Sequence, residues 1–283
     1  MPFLTGDNLK LGDIAADTPR INELCQCHQM KTIANSIKRA KAAFTLVELL
    51  TVIAIIGIIA ALLMTVIPRV VTTAKINKAK LQMTGIVAGI QSYESAYSHF
   101  PVSRAAQTAA NPDFTYGGTL QTPAGPTTVG TPVSGSILRN DQVVAVLMNF
   151  TTYPNTVTPT TDANFQANPQ KTSFLDAGMS GDTSSPGVGT DLVYRDPWGN
   201  PYVISLDLND DGLCEDAFYK APATSAGGKN GLILQPDGNY AFHGRIMVWS
   251  AGPDGKVNLL VTSGQNENKD NVLSWNRTHA PGM

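Results

Sequence analysis

The chain has 283 residues, only 15% of them charged, with a formal net charge of −2. That length allows one or two domains with room for a buried core. The near-neutral balance supplies no basic field, so nucleic acid is not expected as a partner.

Residues 1–43 read as a leader. Cys25-Gln26-Cys27-His28 offers soft metal ligands, but three side chains this close in sequence cannot close a zinc site alone. With Cys214 the chain has three cysteines, too few for a disulfide framework. Met30 is a natural start, and residues 1–29 read as an upstream extension. From Met30 the leader carries Lys31, Lys38, Arg39 and Lys41 and no acid.

The next stretch organises the chain. Between Leu49 and Ile67 nineteen consecutive residues carry no charge, and twelve are Leu, Ile or Val. As a helix this run comes close to the roughly 30 Å hydrocarbon thickness of a bilayer. A secretory signal has a shorter apolar core, and a core helix so uniformly apolar needs a larger protein around it. A retained membrane span over residues 44–68 is therefore expected. Glu48 stands at its mouth. A carboxylate near mid-span costs about 2.5–3.5 kcal/mol on the insertion scale, and the aliphatic residues, at about −0.3 to −0.6 kcal/mol each, offset it. The acid either has an assembly partner or rests among headgroups. Arg69, Lys75, Lys78 and Lys80 follow the span, so positive charge flanks both ends and does not choose an orientation.

Beyond Pro68, Ala79, Met83, Ile86, Val87, Ile90, Tyr93 and Tyr97 recur mostly three or four apart. This predicts one helix from about Phe44 to His99, bent at Pro68, with an amphipathic second half over residues 69–100. Residues 101–190 read as a loop-rich insertion: Val102–Gly135 lacks periodicity, and Thr151–Thr190 is loose with a helical turn at Phe174–Met179. Between them Ile137–Phe150 predicts a short helix starting at Asn140 or Asp141. Residues 191–283 carry strand signals at Tyr202–Leu208 and Arg245–Trp249, with weaker ones at Leu232–Leu234 and Tyr240–Phe242. A small antiparallel sheet packed on the helix stripe follows, an α+β domain.

Catalysis has little to stand on. No G-x-S-x-G or H-E-x-x-H occurs, and Gly227-Gly228-Lys229-Asn230 fails as a P-loop because Ala223 and Asn230 stand where Gly and Ser/Thr belong. None of His28, His99, His243 and His279 sits in a recognisable catalytic pattern. Two acidic turns suit calcium better. Asp207, Asn209 and Asp211 occupy positions 1, 3 and 5 of an EF-hand-like loop with Gly212 at 6, but Phe218 replaces the acid at 12 and leaves only Glu215 or Asp216 as substitutes. Ser250-Ala251-Gly252-Pro253-Asp254-Gly255 forms the second, with Asp254 and Asp270 able to clamp one ion across a loop. For both, the alternative is a turn whose side chains cap their own backbone.

The run KAAFTLVELLTVIAIIGIIAAL resembles the N-terminus of type IV prepilins and type II secretion pseudopilins. The resemblance implies a pilin-like α+β fold, cleavage by a prepilin peptidase between Ala43 and Phe44, and methylation of the new amine at Phe44. It also implies that Glu48 pairs with the amine of a neighbouring subunit. Ala43 stands where the family usually has glycine. The leader would be cytoplasmic and the globular domain outside the inner membrane. Asp196-Pro197-Trp198-Gly199-Asn200-Pro201-Tyr202, Ser250–Gly255 and Asp270–Trp275 are similar to runs of the major pseudopilin of type II secretion (general secretion pathway protein G), which implies calcium at Ser250, Asp254 and Asp270. The implied partners are further copies in a helical homopolymer, minor pseudopilins, an inner-membrane assembly platform, the peptidase, and membrane lipid before assembly. Gly57, Ala60 and Ala61 would let helices pack closely, unless they are ordinary helix composition. Residues 102–190 have no counterpart and would decorate the filament. A type IV pilus or competence pilin, or a membrane-anchored ligand-binding module that never polymerises, are the alternatives.

Overall fold

The computed structural model describes residues 44–227 and 230–275. The leader, Cys25, Cys27, His28, Ala43, Lys229 and His279 lie outside them. The chain divides into two units, residues 1–54 and 55–283.

Helix α1 (Leu46–Tyr97) runs for 52 residues, and Pro68 lies inside it without ending it. The most apolar 18-residue window has a mean hydropathy of 2.9 and none of it is buried, so this part fits a single-pass membrane anchor. Further along, Ile76, Ala79, Met83, Ile86, Gly89, Ile90 and Tyr93 are buried as one stripe, as the spacing predicts. Burying an Ile or Met of this stripe contributes roughly 1.5–3 kcal/mol.

The segment read as a loop is instead built structure. It holds α2 (Arg104–Ala109), β1 (Phe114–Tyr116), the hairpin of β2 (Gly118–Thr122) and β3 (Gly125–Val129), and the hairpin of β4 (Pro132–Val133) and β5 (Ser136–Ile137). Helix α3 (Asp141–Leu147) forms where expected, after Asn140. The Asn140 amide group donates to the carbonyls of Tyr194 (2.9 Å) and Tyr202 (2.7 Å), and its oxygen accepts from Tyr194 N–H (2.9 Å). Phe174–Met179 contains no helical turn; it passes so close to α1 that a Cβ on Gly89 would meet the Phe174 carbonyl oxygen at 2.9 Å. The hydroxyls of Tyr93 and Tyr97 donate to Ala167 O (2.6 Å) and Asn168 Oδ1 (2.7 Å). Residues 102–190 therefore help bury the helix rather than only decorating it.

The remaining strands are β6 (Gly187–Val188), β7 (Tyr194–Arg195), β8 (Val203–Leu206), β9 (Leu213–Cys214), β10 (Ile233–Leu234), β11 (Tyr240–His243), β12 (Ile246–Ser250) and β13 (Val272–Leu273), with a short α4 (Pro222–Ser225) before β10. The main sheet has the order β1-β8-β12-β13, antiparallel throughout. Its side chains alternate between two cores. Phe114, Tyr116, Ile204, Leu206, Ile246 and Val248 join the α1 stripe, whereas Val203, Met247 and Trp249 join Cys214, Phe218 and Tyr219 on the other face. Coverage of both faces is why β8 and β12 read as mostly apolar runs, with Ser205 and Ser250 the exceptions.

Candidate functional site

Three places carry the residues singled out by sequence, and each lies within one unit. At the head of α1, the Thr45 backbone N–H and hydroxyl both donate to Glu48 Oε2 at 2.9 Å, and Glu48 N–H donates to Thr45 Oγ1 at 3.2 Å. This is a capping box, T-x-x-E, that satisfies the first orphan donors of the helix. The signal that could have found it is the T-x-x-E spacing of Thr45-Leu46-Val47-Glu48, which is independent of any charge partner. Glu48 Oε1 has no hydrogen bond within the described residues. Phe44 is exposed, and a Cβ on Gly57 would meet nothing within 4 Å.

The second place joins the runs Asp196–Tyr202 and Ser250–Gly255, which are distant in sequence. Asp196 is fully buried. Its Oδ1 accepts the backbone N–H groups of Trp198 (2.8 Å) and Asn200 (2.9 Å), and its Oδ2 accepts Asn200 Nδ2 (3.1 Å) and the Ser250 hydroxyl. Burial pushes the Asp196 carboxyl up, and the bonds from Ser250 and Asn200 oppose that. Asn200 Nδ2 also donates to Gly252 O at 2.9 Å, clasping the two loops. Asp196→Ala leaves these donors without an acceptor, and the expected cost is about 3 kcal/mol. Chemical denaturation of the full chain in detergent reads this directly; a loss below about 1 kcal/mol would refute the clasp.

Around that clasp, Asp254 and Asp270 are brought together. Asp254 N–H donates to Asp270 Oδ2 at 3.3 Å, and Asp254 Oδ1 accepts Lys256 N–H at 2.8 Å. Asp270 Oδ1 is buried with no hydrogen-bond partner, as is Asn271 Oδ1. Burial, then the negative charge of Asp254, pushes the Asp270 carboxyl up to about 6. Gly252 sits at φ +70°, and a Cβ there would lie 2.1 Å from the Asp270 carbonyl oxygen, so only glycine allows the two loops to meet. The Ser250 hydroxyl donates to Asp196 and accepts Gly252 N–H at 3.0 Å. Among the described residues no three His, Cys, Asp or Glu side chains gather as a metal cluster. A cation placed between these two carboxylates would need carbonyls and water as its other ligands.

The turn at Asp207 is organised otherwise. Asp207 accepts Asp210 N–H (2.7 Å) and Gly212 N–H (3.0 Å), Asp211 accepts Leu213 N–H (2.8 Å), and Asn209 donates to Asp211 Oδ2 (2.7 Å). Arg245 pairs with Asp210 and with Glu94 of α1, its Nε 3.7 Å from Asp207 Oδ2. Asp216 accepts Ser205, Trp249, Phe218 and Tyr219, and Glu215 pairs with Lys220 at 3.8 Å. The oxygens of Asp207, Asn209, Asp210 and Asp211 take part in a self-capped turn and a charge clasp. His243 is exposed at the end of β11.

Residues 38–64 match the family described as the prokaryotic N-terminal methylation motif. Comparison with curated proteins and with solved structures returns no match. The matched motif at the head of a long helix, followed by small antiparallel sheets, supports a type IV pilin-like protein made as a prepilin, cut by a prepilin peptidase and assembled in a pilus-like manner.

Proposed function

We propose that the chain is a non-enzymatic structural subunit of a type II secretion pseudopilus. It waits in the inner membrane with its globular domain in the periplasm, is cut between Ala43 and Phe44, is methylated at Phe44, and then packs through α1 into a helical filament. Contacts between identical subunits that do not close on themselves generate such filaments. The observation that carries this reading is the methylation motif over residues 38–64, placed where an exposed apolar helix begins. The runs at Asp196–Tyr202 and Ser250–Gly255, clasped to each other through Asp196 and Asn200, favour a pseudopilin over a type IV or competence pilin. Minor pseudopilins and the inner-membrane platform are the partners that follow.

Calcium belongs to the same reading. Asp254 and Asp270 would hold it, and the ion would neutralise two carboxylates that otherwise repel, tying the loop after β12 to the strand that closes the sheet. Mass spectrometry of the N-terminus of the chain purified from membranes tests the central claim. The expected N-terminus is a methylated Phe44. A native protein that retains residues upstream of Phe44 would leave only the non-polymerising anchor.

A further inference from the structure

The first half of α1 is followed by a cluster of cations with no acid near it in sequence. No Asp or Glu occurs between Glu48 and Glu94, yet Arg69, Lys75, Lys78 and Lys80 fall within twelve residues. Among the described residues Arg69, Lys75 and Lys78 make no ion pair, whereas Arg139, Arg195 and Arg245 each hold an acid. The soluble domain first buries α1 at Ile76. Arg69 and Lys75 thus occupy the neck between the end of the apolar run at Ile67 and the foot of the domain, and Lys78 and Lys80 flank the first turn of the buried stripe.

Their placement around the helix is informative. At about 100° per residue, Lys75 and Lys78 fall on one flank of the buried Ile76–Ala79 face and Lys80 on the other. A single flat protein surface would need one stripe, whereas a bilayer surrounds the neck from all sides. Lys80 lies about 16 Å along the axis from Arg69, and the Debye length is about 8 Å at physiological salt. Attraction to lipid phosphates is therefore strongest at Arg69 and fades towards Lys80. The part of the chain from Pro101 onward carries ten Lys and Arg against sixteen Asp and Glu, so the neck is a local reversal of a domain that an anionic surface would repel.

We infer that Arg69, Lys75, Lys78 and Lys80 form a collar that binds anionic phospholipid headgroups where the helix leaves the membrane, holding the acidic domain at a membrane of like charge. This rests on the single-pass anchor. Near an anionic surface each cation is worth roughly a five-fold preference. The test is lipid retention by the full chain, re-lipidated in nonionic detergent with equal phosphatidylglycerol and phosphatidylcholine and assayed by mass spectrometry of the co-purified lipid. The expected result is a preference for phosphatidylglycerol of at least about five-fold, falling to near parity in R69Q/K75Q and only partly in K78Q/K80Q. An even ratio in the native chain, or equal losses in the two double variants, would overturn the collar. So would loss of self-association in the variants with the lipid ratio unchanged, which would assign the cations to acids of a second copy. Release of the chain from vesicles by alkaline carbonate would overturn the anchor and the collar together, whereas retention with an even lipid ratio overturns the collar alone.

Discussion

Chains carrying Glu48→Ala are expected to enter the membrane normally and to build no filament. The apolar run offsets the cost of the acid, so removing it cannot impair insertion. On the proposed pairing, what is lost is an anion that would face the methylated amine of the next subunit. A hydrogen bond to a charged group contributes about 1.5–3 kcal/mol, roughly a ten- to hundred-fold factor at each subunit interface, and every interface repeats it. The capping box supplies the control. Glutamine at this position retains the bond to Thr45, so Glu48→Gln keeps the helix start while removing the charge. It should fail as badly as alanine, and Thr45→Ala should assemble better than either. Counting shed filaments by electron microscopy decides the matter. Normal filaments from Glu48→Gln would show that Glu48 serves only its own helix, through the 2.9 Å bonds from Thr45.

The second large effect concerns calcium. Chelation should lower the melting temperature of the chain by about 5–10 °C when the ion had been present at a hundred-fold excess over its dissociation constant. Asp254→Ala should abolish the difference, and Asp211→Ala should leave it, because Asp211 already accepts Leu213 N–H at 2.8 Å. The effect has a pH signature. Asp270 is raised to about 6 in the folded protein, above its unfolded value of about 3.9, so protonation favours the fold. Without metal, stability should rise as pH falls from 7 to 5, and the response to calcium should shrink over the same window as protons compete for Asp270. A melting curve insensitive to both chelator and pH would remove the ion from the account.

What could be read beforehand depended on range. Helix α1, β8 and β12 announce themselves by apolar runs and spacing within a single window. Strand β1 does not: it has three residues and exists because it pairs with β8, where the Thr115 and Ser205 hydroxyls lie 2.9 Å apart across 90 positions. The same holds for the site. Asp196–Tyr202 and Ser250–Gly255 stand out separately, but nothing local says that Asp196 takes the Ser250 hydroxyl. Asp207, Asn209 and Asp211 show the opposite problem. Their spacing suits an ion and a self-capped turn equally, and nothing local announces that Arg245, contributed from beyond the turn, pairs with Asp210 and lies 3.7 Å from Asp207 Oδ2.

Because residues 102–190 lie against α1 through Gly89, Tyr93 and Tyr97, the domain cannot be trimmed to a shorter version by excising them. Deletion would strip Phe114, Tyr116 and α3 from the main core. Tags or reporter epitopes belong instead at the tip of the β2–β3 hairpin, where Pro123 and Ala124 are exposed, with Gly125 kept because its φ of +121° suits glycine. Peptide grafted there can grow outward without disturbing anything beneath it.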